Sequence, residues 1–153
     1  MSKKARSEGN RVACLIKANK AEFYIADVDL EDDSLDVLAC SEAVVKTLGK
    51  TKAAFMIISA GITTLTTVVH VPLELEDKID AQEWLSVSTA GLNNTIKGNM
   101  AIVVKQELGS ETLKEDTAFK LKDVVRANGF KYLSDKGCMG DDESDEFIGL
   151  DDL

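Results

Sequence analysis

One proline, one histidine and one tryptophan are all this 153-residue sequence has of three informative residue types. With His70 alone, a histidine-rich metal site or a serine triad would have to be built on a single imidazole. His70 instead reads as a strand-end residue, solvent-facing or hydrogen-bonded. The three cysteines, Cys14, Cys40 and Cys138, are odd in number, widely spaced and form no C-x-x-C pair, which excludes a disulfide scaffold. They point to a reducing compartment, the cytoplasm or nucleus, and a cytoplasmic setting is expected. No apolar run reaches the roughly 18–20 residues of a membrane span. The start, Met1-Ser2-Lys3-Lys4-Ala5-Arg6, leads into Glu8-Gly9-Asn10 rather than an apolar core, so no secretory signal is read there.

What is present fits one globular domain. Apolar residues make up 44% and charged residues 29%, and a chain of this length buries a sizeable core without staples. The net charge is −9, but it is concentrated. Residues 21–40 carry seven acids and no base, and 141–153 carry seven more. An acidic balance argues against default nucleic-acid binding, but here it comes largely from two blocks.

The pattern predicts a helix over 4–18, where Val12, Leu15 and Ile16 recur at helical spacing, with a strand over 12–17 as the competing reading. Phe23–Val28 reads as a strand and Asp29–Asp36 as an acidic loop. A helix over 35–48 ends at Gly49. Residues 53–59 and 62–71 read as a β-hairpin turning at Ala60-Gly61 and closed by Pro72. A helix over 78–91, a loop over 93–99, a short strand over 101–105 and a long helix over 113–134 follow. Residues 137–153 read as an acidic disordered tail. The fold class is therefore α/β. We expect a small two-layer sandwich, with a mixed sheet, one β-hairpin and helices packed on one side.

Catalytic patterns are missing. Asp27-x-Asp29-x-Glu31-Asp32-Asp33 starts like a calcium loop, but Asp32 stands where glycine is needed and Leu38 where a bidentate glutamate is needed. No G-x-G-x-x-G or P-loop occurs. Neither catalytic nor metal-binding residues are assigned, and no cofactor is expected. Lys122 and Arg126 share a stripe of the last helix, a candidate phosphate-contacting face. Interleaved acids make an ordinary solvated face sufficient on charge alone. Lys97-Gly98-Asn99 is a basic loop whose backbone amides are suited to meeting a phosphate, although a plain turn explains it equally.

Val69-His70-Val71-Pro72, closing the hairpin, is followed by Ile79-Asp80-Ala81-Gln82-Glu83-Trp84-Leu85, and then by Lys97-Gly98. This order resembles the C-terminal globular domain of alanyl-tRNA synthetases, related to the domain found with DHH-type phosphoesterases. Ala81-Gln82-Glu83-Trp84 matches that family's helix signature, with Asp80 where lysine is frequent. Lys97-Gly98 opens its Gly-rich loop, though Asn99 and Met100 replace further glycines. Gln106 and Gly109 match its Ala-Gln-x-x-Gly segment, with Lys105 in the alanine place.

The resemblance implies that 1–20 ends a linker helix and 21–136 is the globular domain. It implies a non-catalytic module that docks the outer corner of tRNA and so supports aminoacylation and editing by other domains of an alanine–tRNA ligase. The implied partners are tRNA, alanine-specific by the family, and those catalytic and editing domains. Some members bind DNA and some self-associate; no membrane is implied. The binding residues expected are Lys97 and Gly98, with Lys105, Lys122 and Arg126 in electrostatic support. The competing expectation is a protein-interaction or dimerisation module that has lost nucleic-acid affinity.

Overall fold

In a computed structural model, residues 2–92, 94–104 and 115–138 are described. Among the described residues are four α-helices and five strands: α1 (Lys3–Asn19), β1 (Phe23–Val28), α2 (Ser34–Leu48), β2 (Ala54–Ala60), β3 (Thr64–His70), α3 (Ala81–Ser88), β4 (Asn94–Lys97), β5 (Met100–Val104) and α4 (Glu115–Asp135). The strands form one sheet in the order β1-β2-β3-β5-β4. β1 and β2 are parallel and joined through α2; every other neighbouring pair is antiparallel. The α/β class, the mixed sheet and the β2–β3 hairpin are those the sequence predicts.

The helices, however, cover both faces of the sheet, where packing on one side is the sequence expectation. The reason lies in β2, where every residue from Ala54 to Ser59 is buried. Strand alternation sends Ala54, Met56 and Ile58 to one core and Phe55 and Ile57 to the other. The first core is closed by α3 and α4 through Trp84, Leu85, Val125 and Leu133. The second is closed by α1 and α2 through Val12, Ile16, Val37, Cys40 and Val44. A strand apolar on both sides needs a cover on each.

Local signals explain the element ends. Asp33 caps α2 by accepting from the Asp36 amide, and Asp80 caps α3 by accepting from the Glu83 amide. That cap starts α3 three residues later than the predicted helix over 78–91, and Thr89 ends it at Ser88. The expected loop over 93–99 is in part a strand: β4 pairs with β5 around the Gly98-Asn99 turn, giving a second hairpin. Gly98 has φ +58, which a two-residue turn needs at its first position. Gly129 sits inside α4 because a Cβ there would lie 3.0 Å from Ile25 Cδ1 and 3.2 Å from Ser88 Oγ. The glycine is thus a packing device rather than a helix break. Residues 139–153 of the acidic tail lie outside the described residues.

Candidate nucleic-acid interface

The expected binding residues separate into two places. Lys122 and Arg126 lie on α4 beside the carboxyl end of β1. Both face Asp27 Oδ2: Lys122 Nζ at 3.8 Å, and the Arg126 guanidinium in a closer ion pair. Next to them Arg11 donates to the Asp27 carbonyl at 2.8 Å and to Glu8 from Nε at 2.9 Å. That Arg11 hydrogen bond holds the Glu8 carboxyl below its usual range. The cleft here has a volume of about 680 Å³ and is lined also by Asp29, Glu31 and Asp32. Its cations are spent on carboxylates, so it repels phosphate.

The acidic stretch itself is structural. Asp32 Oδ1 accepts from the amides of Thr63 and Thr64 and so pins the β2–β3 turn. Partial burial works to raise the Asp32 pKa, but these hydrogen bonds outweigh it and the net direction is down. Asp36 accepts from Ser2 Oγ at 2.7 Å, tying α2 to the start of α1. Among the described residues, no group of three or more His, Cys, Asp or Glu side chains is placed to hold a metal.

Lys97 and Gly98 lie at the opposite edge of the sheet from Asp27, about 19 Å away laterally at about 4.8 Å per strand, and the register runs from Lys97 through Met100, Val68 and Ile57 to Ala26. The exposed Lys97-Gly98-Asn99 turn is held from two sides. Val69 donates its N–H to the Asn99 carbonyl at 2.9 Å. Gln82 Nε2 donates to the Gly98 carbonyl. Three segments far apart in sequence therefore converge: the end of β3, the start of α3, and this turn. Behind them Trp84 is fully buried and donates to the Gly129 carbonyl at 3.2 Å. His70 is half-buried, with its ring 5.2 Å from that of Phe55. Burial, and then the nearby Lys52 charge, lower its pKa. Lys105 lies outside the described residues, as do Gln106 and Gly109.

Sequence reading misses the lysines that stand together at the entrances of β1 and β2. Lys20 precedes β1 and Lys50 and Lys52 precede β2, and β1 and β2 enter the sheet side by side in parallel. The signal that would have found them is positional: each closes a helix-to-strand turn, and parallel strands bring such turns to one end. No known protein-family model matches this sequence, and no curated protein matches it.

Proposed function

We propose that this chain is a non-catalytic RNA-binding domain. Following its resemblance to the C-terminal globular domain of alanyl-tRNA synthetases, it docks the outer corner of tRNA. Aminoacylation and editing then belong to other domains of the parent ligase, which are its protein partners, and a cytoplasmic setting goes with that role. One observation carries the reading: three of the segments on which the resemblance rests meet in space. The hairpin end is bonded to the Lys97-Gly98-Asn99 turn through Val69, and the Ala81-Gln82-Glu83-Trp84 helix through Gln82. An exposed glycine turn with an adjoining lysine is a surface suited to phosphate.

The test is a titration of tRNA at low and at physiological salt, into the full chain and into a chain ending at Cys138. Binding that weakens with salt and tightens on removal of the acidic tail supports the reading. No binding by either form, even at low salt, overturns it. Sedimentation of the same samples addresses the second reading, a protein-contact module. That reading is favoured by the solvent-facing apolar side chains of Leu35 and Val45 on the outer side of α2.

A further inference from the structure

The two edges of the sheet differ in kind. β4 is four residues long, largely polar, and carries the exposed Lys97, all features that discourage further pairing. β1 has none of these devices. It is six residues long, holds neither proline nor lysine, and buries Phe23, Ile25, Ala26 and Val28. The Glu22 carbonyl accepts from the Ala54 amide, so Tyr24, Ala26 and Val28 also turn their backbone groups toward β2. Those of Phe23, Ile25 and Asp27 therefore face away from the sheet. The Asp27 carbonyl does so visibly, since Arg11 of α1 donates to it at 2.8 Å. No hydrogen bond reaches the amides of Phe23, Ile25 and Asp27 among the described residues.

This edge is the floor of a cleft of about 300 Å³ between α1 and α4. Leu15 and Arg11 stand on the α1 wall, Phe130 and Arg126 on the α4 wall. Leu15, Tyr24 and Phe130 are half-buried, so both walls offer apolar surface, with an arginine on each beside Asp27. A recessed edge of this kind admits one more strand, whose side chains would point to the two walls in turn. A second copy of the chain would have to bring its own two helices against these walls.

The chain itself supplies a segment with that pattern, starting in the right place. α4 runs back along β1: Arg126 pairs with Asp27, and Gly129 lies against Ile25. Gly137, at φ +74, turns the chain, and the Cys138 amide bonds the Leu133 carbonyl. Cys138 packs against the α3–α4 core within electrostatic reach of Lys78 and Glu22. Lys78 Nζ is 6.0 Å from the Phe23 ring centre, so residues 139–153 start beside the amino end of β1. They contain the apolar run Phe147-Ile148-Gly149-Leu150, set between Asp141–Glu146 and Asp151-Asp152. As a strand this run sends Phe147 to one wall and Ile148 and Leu150 to the other. Residues 139–146 reach roughly 26 Å when extended, more than the roughly 20 Å length of β1. Their acids pass the exposed Lys17 and Lys20 at the turn into β1. A merely solvated acidic segment is the simpler reading, but it leaves both the apolar run and the open edge unexplained. We propose that Phe147–Leu150 docks on the β1 edge of its own chain as a sixth strand, parallel to β1, between α1 and α4. The proposal stands apart from the RNA-binding reading.

Amide hydrogen exchange, with no RNA present, tests it on the full chain and on a chain ending at Cys138. The edge-facing amides of Ile25 and Asp27 should exchange at least about tenfold faster in the shortened chain. The amides of Tyr24, Ala26 and Val28, turned toward β2, should exchange alike in both, which also reports that the shortened chain is folded. A peptide of residues 139–153, added to the shortened chain, should restore protection at Ile25 and Asp27. In the full chain, Ile148→Asp/Leu150→Asp should expose the same two amides as shortening does. Equal exchange of Ile25 and Asp27 in the two chains overturns the proposal. Protection that survives shortening and rises with protein concentration also overturns it, because a second copy then holds the edge. Equal acceleration of all five amides overturns it as well, since the segment would then stabilise the whole domain without covering the edge.

Discussion

Val69 and Asn99 are joined by a backbone hydrogen bond of 2.9 Å. It extends the β3–β5 ladder one residue past Val68 and Met100 and fixes the Lys97-Gly98-Asn99 turn to the rigid centre of the sheet. The turn is thus an extension of the scaffold. A surface held in this way presents its amides and lysine in one geometry, and contacts placed on rigid elements lose less on binding.

Gly98 is the residue on which the turn depends. Its φ of +58 is a region that branched side chains avoid. Gly98→Val should cost about 1–3 kcal/mol of stability and weaken RNA binding as the turn relaxes. Urea unfolding beside an RNA titration checks both. A variant as stable as the parent would show that the turn can be made without glycine.

Asp27 gathers Lys122 and Arg126 on one carboxylate oxygen. Both partners of the Arg126 pair are about one-third exposed, so solvent screens it and the expected worth is roughly 1 kcal/mol. Arg126→Ala should therefore lower stability slightly and leave RNA affinity unchanged. A double-mutant cycle with Asp27→Ala measures the pair. A coupling near zero would contradict the structural role, and a fall in RNA affinity would return Arg126 to the interface.

Trp84 holds α3 and α4 together from within the core. Its ring is fully buried and its Nε1 donates to Gly129. Trp84→Ala should cost about 3–5 kcal/mol. Trp84→Phe should cost less, losing the hydrogen bond and part of the volume. Denaturant midpoints at unchanged m-value report both. An alanine variant as stable as the phenylalanine variant would mean that the cavity collapses.

His70 ties stability to pH. Burial, with Lys52 second, holds its folded pKa below the ordinary 6.5. The unfolded chain then takes the proton first. The contribution is fully present above about pH 6.5 and is lost as pH falls toward the folded value. The melting temperature should drop between about pH 7.5 and pH 5.5 more in the parent than in His70→Gln. Equal drops would assign the dependence to other groups. The carboxyls of Glu8, Asp32 and Glu83, held low by their hydrogen bonds, act at lower pH.

Much of the fold is legible in local pattern. The periodicity of Val12, Leu15 and Ile16 marks α1, and the unbroken apolar run of Ala54–Ile58 marks a buried strand. The same run carries the two-faced burial that places helices on both sides, but burial on a second face is a property of the whole sheet. β4 is harder to see, because Asn94-Thr95-Ile96-Lys97 is short and polar and owes its conformation to pairing with β5. The site is legible only where its residues adjoin a motif. Lys97 and Gly98 are found that way. Lys122 and Arg126 look available on a helical stripe because their partner, Asp27, is about a hundred residues distant in sequence. Lys20 and Lys50 are isolated in the chain and come to one end of the sheet only because β1 and β2 run parallel.

The most direct measurement is amide chemical-shift mapping of the isotopically labelled chain while a short RNA duplex is added. The amides that shift should cluster at Lys97 to Asn99, with those around Asp27, Lys122 and Arg126 unmoved. Shifts centred on the Asp27 cleft, with the Lys97-Gly98-Asn99 turn silent, would contradict this.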